Sequence, residues 1–147
     1  MARTIQHEII INAPVEQVWA AITQPVWTKQ YMFGCETVSD WQVGSELLWR
    51  GEMEGQPMVF VKGHITGLEE NQTFGFTTFD PNSDTEDAPE NYLEVMYRLS
   101  QRNGQTRLTV TQGDYDLVAD GDKRYQETQE GGGWGGVLEK IKELLEA

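Results

Sequence analysis

The imidazole, thiol and serine hydroxyl groups that most often serve as bases or nucleophiles are few in this sequence: His7, His64, Cys35, Ser39, Ser45, Ser83 and Ser100. His7 shares its parity with Ile5, Ile9 and Ile11, so on a strand it turns inward with them. His64 has the parity of Phe60, Lys62 and Thr66, opposite Val61 and Ile65, which predicts exposure. No second histidine or carboxylate stands at ligand spacing on one helix face, so no zinc site is expected. Cys35 is the only cysteine and excludes an intrachain disulfide. As a nucleophile it would need a nearby base, and no base can be assigned to it. The serines lie in turn or strand-end contexts, and no Gly-x-Ser-x-Gly elbow occurs. Residues 80–91 place oxygens at the first, third and fifth positions of a calcium loop. Thr85 stands where glycine is required and Asn91 where the closing glutamate is required. That segment reads as a solvated acidic loop, and Asp120-Gly121-Asp122 as a turn. No catalytic residue, metal or cofactor is assigned.

The aromatic residues are the more informative set. Trp27 and Tyr31 sit four apart on a short helical segment, and Phe33 follows them. Trp49 with Leu47, and Tyr97 with Val95 and Leu99, share strand faces. Phe60 lies in a third such run, and Trp134 opens the last helical pattern. With inward-facing His7, these residues are the candidates for the wall of a ligand cavity: Trp27, Tyr31, Trp49, Phe60, Tyr97, Trp134 and His7. Met32, Met53, Met58 and Met96 would add adaptable apolar surface.

These residues need a scaffold, and the periodicity supplies one. Residues 4–11 alternate as a strand and stop at Asn12-Ala13-Pro14. Val15, Val18, Trp19 and Ile22 form one helical stripe. Pro25 ends that helix, and 26–33 read as a second short one. Strand-like runs follow near 37–42, 46–52, 57–67, 73–79, 91–101 and 106–113, separated by turn signals. Asn103-Gly104 is the strongest hairpin signal. Trp134, Leu138, Ile141 and Leu145 then mark an amphipathic helix, which begins near Lys123 if Gly131-Gly132-Gly133 is a weak point within it. Such a glycine run needs a reason, either a loop or the close approach of another group. The order is strand, two short helices, six strands, helix. There is no βαβ alternation, so the class is α+β with a curved antiparallel sheet of about seven strands around a long C-terminal helix.

Composition limits the partners. The chain has 11 basic and 24 acidic residues, a net charge of −13. That charge repels phosphate backbones and anionic lipid, so neither nucleic acid nor a membrane surface is an expected partner. A solubility role or a basic protein partner fits better. The length suits one domain over 1–147. No run approaches the ~18 apolar residues of a membrane helix. The first residues lack a long apolar stretch, so no signal peptide is expected. A free thiol fits a reducing compartment, which predicts a cytoplasmic protein.

Several motifs resemble the SRPBCC superfamily (START-related and birch-pollen-allergen-like, helix-grip fold). Within it they resemble the activator of heat shock protein 90 ATPase homologue-like group. The stretch Ile11-Asn12-Ala13-Pro14 through Val18-Trp19 to Ile22-Thr23 resembles that group's N-terminal signature. Trp41 with Val43-Gly44, Lys62-Gly63-His64-Ile65 and Thr106 to Thr111 resemble its strands. Gly133-Trp134, Val137-Leu138 and Ile141 to Glu146 resemble its closing helix. The resemblance implies a helix-grip fold and an internal cavity, and it names no reaction.

Three functions follow as expectations. The first is non-catalytic binding of a small hydrophobic or amphipathic ligand, by a monomer or weak homodimer. The second is a stress-related co-chaperone that meets a chaperone through its surface. The eukaryotic co-chaperones carry a further N-terminal domain, whereas this chain reads as one domain. The third is a cyclase- or hydrolase-like enzyme, for which His7, Tyr97, Glu94 and Arg98 are the residues to inspect. Glu94 and Arg98 have the parity opposite Tyr97 and should face away from the interior.

Overall fold

Alternation in the strand runs resolves into one antiparallel sheet. The structure, a computed structural model, describes residues 3–32 and 34–146; Phe33 lies outside the described residues. Strands β1 (Ile5–Ile11), β2 (Glu36–Ser39), β3 (Glu46–Met53), β4 (Gln56–Glu69), β5 (Thr73–Thr78), β6 (Leu93–Arg102) and β7 (Gln105–Gly113) run in the order β1-β7-β6-β5-β4-β3-β2. The meander from β2 to β7 is closed by β1, which pairs with β7 from Ile5↔Gln112 to Ile11↔Thr106. Turn chemistry sets two of the hairpins. Asn103 and Gly104, at φ 54° and 79°, join Arg102 to Gln105; Glu54 and Gly55, at 52° and 80°, join Met53 to Gln56. Positive φ at both central residues is what matches the twist of the flanking strands.

Helices α1 (Val15–Thr23) and α2 (Pro25–Tyr31) follow β1 directly. Gln24 closes one and caps the other, and Pro25 occupies the first turn of α2, where its missing N–H costs no bond. After β7 come α3 (Gly121–Glu130) and α4 (Gly135–Glu146).

The C-terminal helical region is therefore not one helix from Lys123. The glycine run divides it, and the cause is local. Gly132 and Gly133 take φ of 88° and 59°, which a side chain resists. A Cβ on Gly133 would also lie 2.5 Å from Nε2 of His7. The run is thus both a turn and a close approach.

The sheet's inner face carries Leu47, Trp49, Ile65, Phe74, Phe76, Val95, Tyr97, Leu108 and Val110, each at most 3 % exposed. Leu138 and Ile141 of α4 and Val18 and Ile22 of α1 complete this core. Phe74 sits at its centre, with ring centroids 4.8 Å from Phe76, 5.6 Å from Trp41, 6.2 Å from Tyr97 and 6.3 Å from Trp19. Such tilted, edge and stacked contacts add to what burial alone contributes. Helix α4 packs against β1, α1 and α2, which places it toward one side of the sheet. Lys142 donates to the Ile10 carbonyl, and Glu146 accepts from the Asn12 amide, fastening α4 beside β1. This is a helix-grip fold: a curved seven-stranded sheet with two short helices after the first strand and a C-terminal helix laid on its inner face.

Residues 80–91 are mostly exposed, as a solvated acidic loop should be, yet they are held at several points. Phe79 bridges back to Lys62 through paired backbone hydrogen bonds and stacks on Tyr92 at 4.9 Å. Asp87 accepts from Lys62 and from the Tyr92 hydroxyl, and the Lys62 bond keeps its carboxyl below the usual carboxylate range. Asn91, 7 % exposed, donates to the Glu86 carbonyl and accepts from the Ala119 amide.

Gly63 and Gly67 of β4 give a direct test of the packing. A Cβ on Gly63 would lie 1.8 Å from the Thr77 carbonyl oxygen, whereas one on Gly67 would meet nothing within 4 Å. Gly63→Ala should cost about 3 kcal/mol or more in urea unfolding, because backbone must move, and Gly67→Ala should stay within about 1 kcal/mol of the parent. Equal losses would refute this account of the β4–β5 contact.

Candidate functional site

The inner face of the sheet is wider than α4 covers. On the side away from β1 a cavity of about 660 Å³ remains. Its apolar walls are Met32, Cys35, Trp49, Phe60, Val61, Phe76, Phe79, Leu93 and Trp134; its polar groups are Thr78, Asp80, Gln112, Arg124 and Thr128. Exposed Asp80 marks the end that meets solvent. Size and lining both fall within the usual range of small-molecule sites.

The cavity sits where two hydrophobic clusters meet. The larger is the sheet core. The smaller joins Ile5, Leu93 and Tyr115, with Val118 and Tyr125 packed on it. Trp134 packs against both. Its indole N–H donates to Gln112 Oε1 at 3.0 Å, and the Tyr115 hydroxyl donates to the same oxygen at 3.0 Å. Thr128 donates to the Arg124 carbonyl, the i−4 bond of a helical threonine. The polar groups of this wall are thus largely occupied by one another.

Phe60 reaches the cavity through a β-bulge. Trp49 pairs with Val61 and Arg50 with Val59, leaving Phe60 without a partner across the ladder. The extra residue resets the alternation, so consecutive Phe60 and Val61 both line the hollow. Gly51 makes room for the ring, since a Cβ there would lie 2.8 Å from it.

Of the sequence candidates, the structure brings together Trp49, Phe60 and Trp134 on the cavity wall. Trp27 is half-buried on α2 against the main core and is not part of this wall. Tyr31 and Tyr97 are buried in the packed core instead. Tyr97 lies under the edge of Trp134, at 5.8 Å, and that indole stands at the wall. His7 is half-buried and faces the Gly133–Gly135 turn, which takes the space that inward parity would otherwise open to it. His64 is exposed, with Nδ1 3.3 Å from Thr77 Oγ1. Glu94 and Arg98 are exposed on the outer face.

Sequence reading missed Gln112, Arg124 and Thr128. Gln112 continues the inward parity of Leu108 and Val110, so an inward polar residue at the end of β7 was a usable signal. Arg124 and Thr128 stand four apart on one helix face, a weaker signal.

Chemically the site is suited to holding a molecule. Burial pushes the Cys35 thiol above its ordinary value, so it stays protonated at neutral pH. Among the described residues no group of three or more His, Cys, Asp or Glu side chains is placed to hold a metal ion. No helix of the described residues is long and apolar enough to cross a membrane.

This is the architecture of a helix-grip protein with a partly open aromatic interior. The sequence matches the model of the Activator of Hsp90 ATPase homolog 1-like protein family over residues 12–146, and the chain belongs to that family, within the SRPBCC superfamily. A search of the curated proteins found no match. Among solved structures, the chain is similar to the solution structure of ChR145 from Cytophaga hutchinsonii, with 32% identity, 99% of this chain and 96% of that one covered, and a TM-score of 0.78. It shares its fold with the Aha1 dimer from Colwellia psychrerythraea, at 21% identity, 97% and 96% coverage and a TM-score of 0.69. The same fold occurs in PFC0360w, an HSP90 activator from Plasmodium falciparum, at 15% identity, 76% and 72% coverage and a TM-score of 0.59.

The two core tyrosines should behave differently. The Tyr31 hydroxyl donates to the Ala21 carbonyl at 2.8 Å, whereas the Tyr97 hydroxyl is buried with no partner among the described residues. Tyr31→Phe should cost about 1 kcal/mol, and Tyr97→Phe should be neutral or stabilising, in urea unfolding. Burial raises both phenols above their ordinary value of 10.0, with the neighbouring Tyr97 adding to the effect at Tyr31. The folded chain therefore keeps protons that the unfolded chain releases, and this contribution to stability is intact below about pH 10 and is lost as pH rises beyond it. Replacing both tyrosines with Phe should flatten that alkaline loss; an unchanged slope would sink the assignment.

Proposed function

We propose that this chain, acting as one domain over residues 1–147, binds a small hydrophobic or amphipathic molecule in its internal cavity without transforming it. The observation that carries the reading is the 660 Å³ hollow walled by Trp49, Phe60, Phe76, Phe79 and Trp134. A ligand in an apolar space of this size adds dispersion contacts with its walls, so an occupant stabilises the fold. Tyr97 supports the wall from behind through Trp134, and His7 through the Gly133–Gly135 turn that carries it, whereas Trp27 and Tyr31 belong to the core. The lone, protonated Cys35 fits a reducing compartment such as the cytoplasm.

A second reading is a co-chaperone-like role through the surface, as a monomer or a weak homodimer. It is favoured by the family match and by the acidic surface, which suits a basic partner. The relevant measurement is chaperone ATPase turnover with and without the purified chain, and an unchanged rate would end that reading.

The cavity reading is tested by screening lipids, flavonoids and polyketides by native mass spectrometry and thermal shift. A binder at saturating concentration should raise Tm by several degrees. It should change the fluorescence of Trp49 and Trp134, and slow the labelling of Cys35 by a thiol reagent. Val61→Phe, which fills the hollow, should abolish these effects while the chain still folds. Binders that leave Cys35 labelling untouched, or that bind Val61→Phe equally well, would place the ligand elsewhere.

A further inference from the structure

The half-buried cations of this acidic chain are Arg3, Lys62, Arg124 and Lys142. Arg3 is paired with Asp116 and Asp122, Lys62 with Asp87, and Lys142 with Glu146. Arg124 alone has no carboxylate within 4.0 Å among the described residues, although the chain has 24 acidic residues against 11 basic ones. Arg124 is also the one cationic residue among the described residues that line the cavity.

The bonds Arg124 does make leave most of its donors free. Nη1 donates to the Asn91 and Ala119 carbonyls at 3.3 and 3.4 Å, which orients the plane of the group. A guanidinium has five N–H donors, so Nη2 and Nε remain for a ligand. Neighbouring Gln112 and Thr128 are engaged with Trp134, Tyr115 and the helix backbone and do not neutralise it. A half-desolvated, oriented guanidinium beside an aromatic hollow matches a carboxylate joined to an apolar body.

We infer that the cavity takes amphipathic monoanions, with the carboxylate on Arg124 and the apolar part against Trp49, Phe60 and Phe76. This rests on the cavity-binding reading above and specifies its ligand class. Asp80 limits the charge of the head. It is exposed at the same cavity and unpaired with Arg124, and its Oδ1 accepts from the Asn82 amide at 2.8 Å. Its carboxylate and the net charge of −13 repel a dianion, so a phosphate monoester is disfavoured relative to a carboxylate.

The test uses the full chain and tryptophan fluorescence titration. The probes are decanoate, methyl decanoate, decylamine and decyl phosphate, with naphthaleneacetate and its methyl ester as a second apolar body. The carboxylates should bind about tenfold tighter than their esters, and added salt should narrow that gap. Arg124→Gln should bring acid and ester within about twofold of each other. Asp80→Asn should tighten carboxylate binding a few-fold and leave the esters unchanged. Asp80 is exposed, so that variant keeps the test decisive even if Arg124→Gln fails to fold. Equal binding of acid and ester, or tighter binding of the amine, would overturn the inference while leaving the cavity reading intact. Binding of none of these probes would overturn both.

Discussion

The structure depends on a mismatch of widths. A seven-stranded curved sheet presents one continuous apolar face, and α4, a helix of 12 residues, lies toward the β1 side of it. Where α4 covers the sheet, Leu138 and Ile141 close the core. Where it does not, the remaining face must be covered by something thinner or left as a hollow. Helix α3, the 79–92 connection and the α3–α4 turn border that remainder without filling it.

Cavity and core are consequently made from the same strands. Phe76 packs on Phe74 in the core and also lines the hollow, and Trp49 does the same from β3. Trp134 joins the two hydrophobic clusters and is fixed by Gln112. The wall is therefore preorganised by contacts that stability requires in any case, which reduces the ordering cost of binding.

Much of the fold was legible because its signals are local. Alternation in β1, the Asn103-Gly104 turn, Pro25 at a helix start and the apolar stripe of α4 each act within a few residues. The site was less legible because its determinants are not local. A bulge opposite Trp49 turns Phe60 inward, and no period-two pattern announces it. The Gly131–Gly133 turn divides the helical region because His7, distant in sequence, occupies the space a side chain would need. Tyr31 has the type and helical spacing, and Tyr97 the type and parity, of wall residues, yet packing buries both in the core. Arg124 stands out only once the carboxylates near the other half-buried cations are known, which is information about three-dimensional pairing.

Helix α3 has a consequence for access. Among its residues only Gly121 is fully buried, and the helix is strongly polar. Its attachments run through Arg124, Thr128, Tyr125 and the pairing of Asp122 with Arg3 rather than through the sheet's hydrogen-bonded ladder. Apart from Tyr125 on the Tyr115 cluster the helix contributes few apolar contacts, so its opening requires less free energy than global unfolding. Solvent and solutes can then exchange with the interior on the timescale of a local fluctuation while the seven strands stay paired, and amide exchange in α3 would run much faster than in β6 or β7.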